Sequence, residues 1–204
     1  MKPLRVVLLL LFACDAAAVD PSYWDRGGSP ATSASSASSS SGEVSLDEDG
    51  GVILAPDPAS CISMQFTTTS YDGEYGPKNV GAVWLESSDG SFIKTLEVWG
   101  SRRLKHAVAW RAASGGDTVD AITGATRRNH GAHTVRWDCQ DNRGETRSAG
   151  PLELHIELTE EDSAEGAPRG PHRVIELDTS APGPIAASDD ESVRAIEGTV
   201  TSPP

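Results

Sequence analysis

The stretch DAITGAT, which ends at Thr126, combines residue types that could present a hydroxyl group for covalent attachment. Gly124 and Ala125 add almost no bulk beside that hydroxyl, so a second protein could approach the backbone closely. Asp120 and Thr123 are short polar residues that can hold a turn open by bonding local amides. The alternative interpretation is a plain polar turn between two strands. The choice between these interpretations therefore depends on the compartment that the protein occupies and on the fold that presents this stretch.

Residues 1–18 have the layout of an export signal. A short basic start precedes an apolar run and then small residues, in the sequence MKPLRVVLLLLFACDAAAVD. The apolar run is too short to span a bilayer as a finished helix. Leu11 lies three residues before Cys14, which resembles the lipobox at which bacterial lipoproteins are cleaved and acylated on the cysteine. Cleavage by ordinary signal peptidase at AAA, residues 16–18, is the alternative; it would remove Cys14 and leave a soluble secreted protein.

Residues 19–59 form a Ser-rich segment with almost no large apolar residues. Such a segment cannot bury enough surface to offset the entropy of ordering, so we expect a flexible tether. A tether behind a lipidated cysteine lets a domain reach away from the membrane. Residues 60–178 then have the size of one domain, and residues 179–204 are expected to be a last strand or a flexible C-terminal tail.

The net charge of −13 over 204 residues argues against a nucleic-acid partner, because binding to phosphates needs clustered Lys and Arg side chains. The chain has three cysteines, of which Cys61 and Cys139 lie in the expected domain. An exported chain meets an oxidising compartment. A Cys61–Cys139 disulfide is therefore one prediction, and two buried free thiols are the other.

After residue 60, short runs of β-favouring residues alternate with turn residues, which is typical of an antiparallel sandwich or barrel. The expected strands are ISMQFTTT, VGAVWLE, FIKTLEVW, AHTVRW, LELHIELT, HRVIELD and SVRAIEGTV. The stretch LKHAVAWRAA could be a strand or one short helix, because its periodicity does not decide between them. Between the second and third strands, Asp89 and Gly90 are expected to supply the positive φ angles of a hairpin turn.

The strand LELHIELT shows the clearest alternation in the chain. Leucine and isoleucine occupy every second position, on the two-residue period of a strand. This pattern predicts one apolar face and one solvated face. The residues expected on the solvated face are Glu153, His155, Glu157 and Thr159.

The segment GAHTVRWDCQDNRGETRSAGPLELHIEL resembles the two-strand signature of the immunoglobulin-like domain of flagellar hook-capping proteins. In that signature a strand ending in Trp-Asp-Gly turns through an Asp-x-x-Gly loop, and the resemblance implies an immunoglobulin-like, all-β antiparallel β-sandwich. On physical grounds alone, Trp137 would cover the end of the sandwich, while Asp138 and Asp141 would bond turn amides. Gly144 would take a positive φ. Cys139 stands where the pattern has Gly, which implies a less tight turn.

Four segments together resemble a family of predicted periplasmic bacterial proteins known only as a domain of unknown function: GAVWLESSDGSFIKTLEVWG, VAWRA, DAITGATRRNHGAHTVRWDCQDNRG and LELHIELTEED. The resemblance covers roughly residues 61–178. In that family the segment matching DAITGAT carries the pattern D-x-x-[ST]-G-A-[ST]. This pattern is the recognition sequence of a flavin transferase that moves FMN from FAD onto the final hydroxyl. The match is complete at Asp120, Thr123, Gly124, Ala125 and Thr126.

The resemblance implies covalent FMN on Thr126, attached outside the cytoplasm. The redox chemistry would belong to the flavin ring, while the protein would supply position and electrostatics. Arg127, Arg128 and His130 follow the acceptor, so positive charge could stabilise the phosphate and a reduced flavin; an ordinary solvated turn is the alternative. Four tryptophans could stack on the ring, although sandwich core or cap is the stronger expectation for each: Trp84, Trp99, Trp110 and Trp137.

Other chemistries find less support in the sequence. His130 and His133 have H-x-x-H spacing, but in a strand this spacing puts the two rings on opposite faces, which disfavours a zinc site. The stretch DCQDNRG has its glycine one place too late for an EF-hand loop, and no glutamate stands at the closing position. The sequence has no G-x-S-x-G elbow, no C-x-x-C-H haem site and no nucleotide loop.

The sequence thus predicts an exported, lipid-anchored protein that carries FMN on Thr126 and acts as an extracytoplasmic electron carrier rather than a catalyst on a small substrate. Its expected partners are a flavin transferase, membrane or periplasmic redox proteins and, through Cys14, the periplasmic side of a bacterial membrane. The alternative function is a non-redox immunoglobulin-like module for binding in the cell envelope, with no cofactor.

Overall fold

A computed structural model describes residues 44–46, 52–54, 60–119, 121–124, 129–185 and 187–204. The described strands are β1 (Val44–Leu46), β2 (Val52–Leu54), β3 (Ile62–Thr68), β4 (Val80–Ser87), β5 (Phe92–Trp99), β6 (Ile122–Gly124), β7 (Ala132–Trp137), β8 (Pro151–Thr159), β9 (His172–Asp178), β10 (Gly183–Pro184) and β11 (Val193–Val200). The described helices are α1 (Val108–Ser114) and the 3-10 helices Ser101–His106 and Ser163–Glu165. Within these ranges, every helix falls short of the length and apolar character that a membrane crossing requires. The export signal and Cys14 lie outside the described residues.

Two sheets form the fold. The four-stranded sheet has the order β10-β11-β3-β7, and the five-stranded sheet has the order β6-β5-β4-β8-β9. The paired strands are antiparallel except β5 and β6, which run parallel. β1 and β2 pair with each other as a separate antiparallel ladder. The prediction of an all-β, mostly antiparallel sandwich is confirmed, whereas the immunoglobulin-like assignment stays a prediction.

Apolar side chains from both sheets meet in one core. β3 contributes Ile62, Met64 and Phe66, and the core-facing residues of β8 include Leu154 and Ile156. All five are at most 1% exposed. Burying a Leu or Ile side chain completely stabilises a fold by roughly 1.5–3 kcal/mol, so this two-residue alternation holds the sheets face to face.

The other face of the five-stranded sheet is covered, so the predicted solvated face of β8 is wrong at three of its four positions. His155, Glu157 and Thr159 are buried, and only Glu153 is partly exposed. The stretch LKHAVAWRAA, left open as strand or helix, forms the end of a 3-10 helix and α1, which pack on this face. The Glu157 carboxylate accepts hydrogen bonds from the first free N–H groups of α1, which makes its burial possible.

The β4–β5 turn differs in detail from its prediction. Gly90 has a φ of 81°, as expected, but Asp89 is not among the described residues with positive φ. The Asp89 carboxylate instead accepts hydrogen bonds from the Ser87 hydroxyl at 2.6 Å and the Ser91 N–H at 3.0 Å. A three-residue hairpin loop needs only one left-handed residue, whereas the predicted two-residue loop needs two.

The turn after β7 has the hydrogen bonds that the Trp-Asp pattern predicts. Trp137 is 2% exposed, and its indole N–H donates to the Gln140 carbonyl at 2.6 Å. Asp138 accepts from the Gln140 N–H, and Asp141 accepts from two N–H groups farther along the turn. Gly144 has a φ of 77°. Side chains of the turn itself therefore make the hydrogen bonds that close it.

Cys139 in this turn has a φ of 66°, the left-handed conformation in which the pattern has Gly. A side chain with a Cβ atom adopts this conformation at a cost that glycine does not have. Cys139 forms a disulfide with Cys61, and their Cα atoms are 5.3 Å apart. The bond ties the turn to the residue that precedes β3.

The strand directions define two ends of the sandwich. The disulfide end holds the β4–β5 turn, Trp137, Cys139 and the start of β8, and a cleft of about 270 Å³ lies between these parts. The histidine end holds the start of β4, the end of β8 and the start of β7, together with His106, His130 and Glu160.

Candidate functional site

The predicted attachment stretch, DAITGAT, enters the fold through β6, an edge strand of the five-stranded sheet. Because β6 runs parallel to the last residues of β5, it points toward the histidine end. The described chain resumes at residue 129, and β7, an edge strand of the other sheet, begins soon afterwards. Gly124 at the end of β6 and Ala132 at the start of β7 therefore lie in different sheets, both at the histidine end. Thr123 and Gly124 lie in β6, while the other residues of the pattern, Asp120, Ala125 and Thr126, lie outside the described residues, as do Arg127 and Arg128.

His130 and Glu160 form a buried pair where the chain returns from the attachment stretch. The distance from His130 Nε2 to Glu160 Oε1 is 2.6 Å, and the two side chains are 9% and 0% exposed. The carboxylate also accepts hydrogen bonds from the Ser70 hydroxyl and the Gly73 N–H, each at 2.7 Å. Burial alone would raise the pKa of Glu160, but the hydrogen bonds from Ser70, His130 and Gly73 outweigh it and hold that pKa below its usual value. Glu160 is therefore an ionised acceptor at neutral pH.

A second His–Glu pair spans the two sheets beside β6. His133 in β7 has its Nδ1 3.1 Å from the Glu97 carboxylate in β5, and both side chains are almost fully buried. The imidazole stacks on Phe66 with ring centroids 4.9 Å apart and lies at a tilt against Trp99. Its Nε2 is 3.4 Å from the Thr68 hydroxyl. This pair brings a titratable group into the core directly next to the strand that carries Thr123.

A third polar group at the histidine end centres on Asp162. Its carboxylate accepts hydrogen bonds from Arg103 at 2.6 Å and from the Tyr75 hydroxyl at 2.8 Å, and His106 Nε2 lies 3.2 Å away. The Arg103 guanidinium also stacks over the Tyr75 ring. His106 Nδ1 accepts from a backbone N–H, so both of its nitrogens are occupied. Burial lowers the pKa of His106, which keeps the ring neutral near pH 7.

The four described tryptophans are buried, as predicted for residues of the sandwich core or its cap. Trp84, Trp99, Trp110 and Trp137 are each 1% or 2% exposed. Trp99 donates to Asn79, and Trp110 donates to Thr95, so their N–H groups are also occupied inside the fold. None of these four rings presents a face to solvent on which a flavin could stack.

The remaining histidines form a pair on the helix-covered sheet face. His155 Nδ1 and His172 Nε2 are 3.0 Å apart, and both rings stack on Trp84. Across the part of the chain that the structure describes, no group of three or more His, Cys, Asp or Glu side chains is arranged to hold a metal ion. The H-x-x-H histidines have separate partners: His130 bonds to Glu160, and His133 bonds to Glu97.

The two acidic partners were not singled out from the sequence. Glu97 lies within an apolar strand, FIKTLEVW, and Glu160 begins the acidic run EED after LELHIELT. A charged residue inside an apolar strand is a signal of a buried pair, because an unpaired carboxylate is costly to bury. Glu160 carries no such signal, because acidic residues after a strand are normally solvated.

Comparison with known proteins gives one match. The profile of the family described as "Predicted periplasmic protein (DUF2271)" matches residues 61–191. This range contains the attachment stretch, both His–Glu pairs and both disulfide cysteines, and it ends before β11. No curated protein and no solved structure matches the chain.

Proposed function

Because the chain belongs to this family of predicted periplasmic proteins, we propose that it is an extracytoplasmic electron carrier with FMN attached covalently to Thr126. The attachment would be a phosphoester between FMN and the threonine hydroxyl, made by a flavin transferase with FAD as donor. The bound flavin would accept and release one or two electrons, and the protein would hold it where redox partners can reach it.

The observation that carries this proposal is the complete match of DAITGAT to the transferase pattern in a chain of a periplasmic family. At average residue usage the pattern occurs roughly once per 10^5 positions, so chance is a poor explanation in one chain of this length. The path of the described chain supports the same assignment. A transferase must reach the hydroxyl from outside, and the described strands on either side of it, β6 and β7, are edge strands at the same end of the sandwich, where a second protein can approach.

Electron transfer fits the described residues better than catalysis on a small molecule. The four tryptophans are buried, so a flavin on Thr126 would have its ring outside the core rather than enclosed in an aromatic pocket. The cleft of about 270 Å³ lies at the disulfide end, whereas β6 points toward the histidine end. A flavin near the surface exchanges electrons with protein partners directly, which is the task of a carrier.

The N-terminal segments fit a carrier that works close to a membrane. In this proposal Cys14 is lipidated after export, and the Ser-rich segment of residues 19–59, which also contains the short β1–β2 ladder, lets the sandwich move between an electron donor and an electron acceptor. The donor and the acceptor would be membrane or periplasmic redox proteins. A net charge of −13 favours partners whose contact surfaces are basic.

The test is the intact mass of the full chain exported from a host that also makes a flavin transferase. We expect an added mass of one FMN less one water, located by peptide mapping on the peptide that contains Thr126. Thr126→Val keeps the shape of the side chain but removes the hydroxyl, so it should abolish the addition completely. Thr126→Ser is the matched control, because the pattern accepts either hydroxyl residue, and it should keep the addition.

Unmodified wild-type protein, beside a transferase that modifies a control substrate, would contradict the carrier function. The chain would then be a colourless module for binding in the cell envelope, with DAITGAT as a turn. Flavin on Thr126→Val would show that the attachment uses another residue, and peptide mapping would identify it.

A further inference from the structure

Three glutamates lie side by side across three neighbouring strands of the five-stranded sheet. In the strand register Glu86 of β4 pairs with Glu153 of β8, and Glu153 pairs with Glu176 of β9. Side chains of directly paired residues share one face of a sheet, with Cβ atoms about 4.5–5.5 Å apart. We call these three residues the glutamate row. Like charges placed directly opposite each other destabilise a sheet, so the row has a cost in stability.

The positive charges of the described chain do not neutralise the glutamate row. Between described residues, lysine and arginine form ion pairs with Asp138, Asp162 and Glu165 and with none of the three glutamates. His155 lies beside the row, with its Nε2 3.3 Å from a Glu153 oxygen and 3.9 Å from a Glu86 oxygen. A protonated His155 offsets one of the three negative charges, and two remain.

The polar groups around the row are only partly satisfied by the protein itself. The His155 side chain is 7% exposed, and its Nδ1 lies 3.0 Å from His172 Nε2. Its Nε2 is buried and makes no hydrogen bond, although two carboxylates lie close to it. Glu86 is fixed in place, because one of its oxygens accepts the Trp84 indole N–H at 2.7 Å. A buried nitrogen without a partner beside fixed carboxylates is a feature that calls for a functional explanation.

The row itself can be reached from solvent. The Glu153 side chain is 34% exposed, and Glu176 is also exposed. Val174 lies on the same face, two residues before Glu176 in β9, and is 40% exposed. The apolar cluster under α1 lies farther along β4 and includes Ala82. The uncovered part of the sheet face therefore combines negative charge with one exposed apolar side chain.

A purely structural role explains only part of this arrangement. Charges on an edge strand discourage pairing with other strands, which accounts for Glu176 on β9. Glu86 and Glu153 lie on β4 and β8, which are inner strands of the sheet. Charges on inner strands protect no edge, so these two residues add repulsion without that benefit. A positively charged ligand would remove the repulsion when it binds.

We propose that the glutamate row and Val174 form a docking site for a partner protein with a basic contact surface. A lysine of the partner packs its aliphatic stem on Val174 and places its ammonium between the Glu153 and Glu176 carboxylates. An ammonium group is a compact charge with three donors, so it serves two neighbouring carboxylates at once. The net charge of −13 attracts basic partners in general, and the row determines where such a partner docks.

This docking site lies apart from the predicted attachment stretch. Glu86 is the second-last residue of β4, at the disulfide end, whereas β6 points toward the histidine end. β6 and β9 are also the two opposite edges of the sheet. A partner docked on β8 and β9 therefore leaves the region of DAITGAT open. The inference does not rest on the proposed flavin.

The test is a titration of the isotope-labelled, exported protein with a capped hexalysine peptide at low ionic strength. The Trp84 indole N–H donates to Glu86, and the Val174 amide lies beside the row, so the NMR signals of both groups report on this site. We expect these signals to shift to saturation, with smaller shifts at the histidine end. A peptide with acetylated lysines should leave the signals in place, because acetylation removes the positive charge.

The double variant Glu153→Gln, Glu176→Gln removes two charges and keeps the size of both side chains. Its dissociation constant for hexalysine should be about tenfold higher than that of the wild type, because each exposed ion pair contributes modestly. Its urea midpoint should be equal to or higher than that of the wild type, since the variant removes like-charge repulsion. Loss of the fold therefore does not account for weaker binding.

Glu74→Gln, Glu191→Gln is the matched control with the same change in net charge. Both glutamates are exposed and lie near the histidine end, where only their backbone atoms make hydrogen bonds among the described residues. General attraction to the protein falls by the same amount in the two double variants. The control should keep its dissociation constant within about twofold of the wild type, because charges farther away than a Debye length are screened.

Equal weakening in the two double variants, or shifts of equal size over the whole surface, would show attraction to net charge alone and would overturn the docking site. Shifts that grow with protein concentration without peptide would assign this face to a second copy of the chain and would also overturn it. Weakening that is confined to Glu153→Gln, Glu176→Gln supports the site. Thr126→Val protein should bind hexalysine as the wild type does, so the result is independent of FMN attachment.

Discussion

The two ends of the sandwich are held together by different kinds of interaction. At the disulfide end, turn carboxylates accept hydrogen bonds from residues near in the sequence. Asp89 accepts from Ser87 and Ser91, and Asp141 accepts from the Arg143 and Glu145 N–H groups. At the histidine end, the partners are distant in the sequence and buried, as for His133 and Glu97. The disulfide end is closed by local turns and a covalent bond. The histidine end depends on buried polar pairs, which are specific but costly to break.

This difference indicates where the fold can carry chemistry. At the disulfide end the buried ammonium of Lys94 lies 3.4 Å from Asp138, and the turns close through hydrogen bonds between residues near in the sequence, so these turns have a structural role. The histidine end keeps an imidazole nitrogen without a partner and several buried charges next to the attachment stretch. Proteins retain such costly features chiefly at functional sites.

The largest expected effect comes from removing the covalent bond at the disulfide end. The Cys61–Cys139 bond closes a loop with a sequence separation of 78. The chain-entropy estimate for a loop of this size is a stabilisation of about 4 kcal/mol. The double variant Cys61→Ala, Cys139→Ala should therefore lower the free energy of unfolding by about this amount, measured by urea denaturation followed by tryptophan fluorescence.

Two further measurements test how far the disulfide end depends on this bond. Reduction of the wild type should lower the free energy of unfolding by a similar amount, because reduction and the double substitution open the same loop. A folded double variant should still take up FMN on Thr126, since the attachment stretch leads to the other end. If the free energy of unfolding fell by less than about 1 kcal/mol, the turn after β7 would not depend on the disulfide. The two ends would then differ less in what stabilises them than the structure indicates.

The sequence predicted the sandwich well because its strands are strongly patterned. All seven expected strands are present, several with the predicted bounds, as for AHTVRW and HRVIELD. The predicted solvated face of LELHIELT is mostly wrong, since a strand pattern cannot show that α1 will cover a polar face and supply N–H groups to Glu157. The turn at Asp89 is wrong in type because two-residue and three-residue loops share the same glycine signal.

The candidate site could be predicted only in part. DAITGAT is a local motif, so the sequence identifies it without any fold. The partners of His130 and His133 come from other strands, and no spacing rule links His130 to Glu160 or His133 to Glu97. Long-range pairs of this kind depend on sheet order and register, which a single sequence does not specify.

A smaller loss of stability is expected in mild acid, and it should come from buried histidines rather than from the disulfide end. Burial lowers the pKa of His106 below its ordinary value of 6.5. Between pH 6.5 and its lower folded pKa, the unfolded chain therefore binds a proton that the folded chain does not, and stability falls as the pH falls. The lowered pKa of His172, whose first cause is also burial, adds a contribution of the same sign.

The contribution of Asp89 to stability, at the disulfide end, should not change between pH 7.5 and pH 5.5. Hydrogen bonds from Ser87 and Ser91 lower the pKa of Asp89 to about 2, so its contribution is present above pH 3.8 and is lost only as the pH falls toward 2. Urea midpoints at pH 7.5 and pH 5.5 should therefore show a smaller drop for His106→Gln than for the wild type. Asp89→Asn should show the same drop as the wild type, and a reduced drop would contradict this separation.

The smallest expected effect concerns backbone conformation rather than side-chain contacts. Gly90 at the disulfide end has a φ of 81°, and a Cβ added there would meet no atom within 4 Å. Gly131 at the histidine end also has open space around an added Cβ, but its φ lies outside the left-handed range. Gly90→Ala should therefore cost about 1 kcal/mol, from the left-handed conformation alone. Gly131→Ala should be neutral or slightly stabilising, because alanine restricts the unfolded chain. Equal urea midpoints for the two variants would show that the β4–β5 turn relaxes to a conformation that alanine accepts, and the closure of the disulfide end would then rest on the disulfide and Trp137.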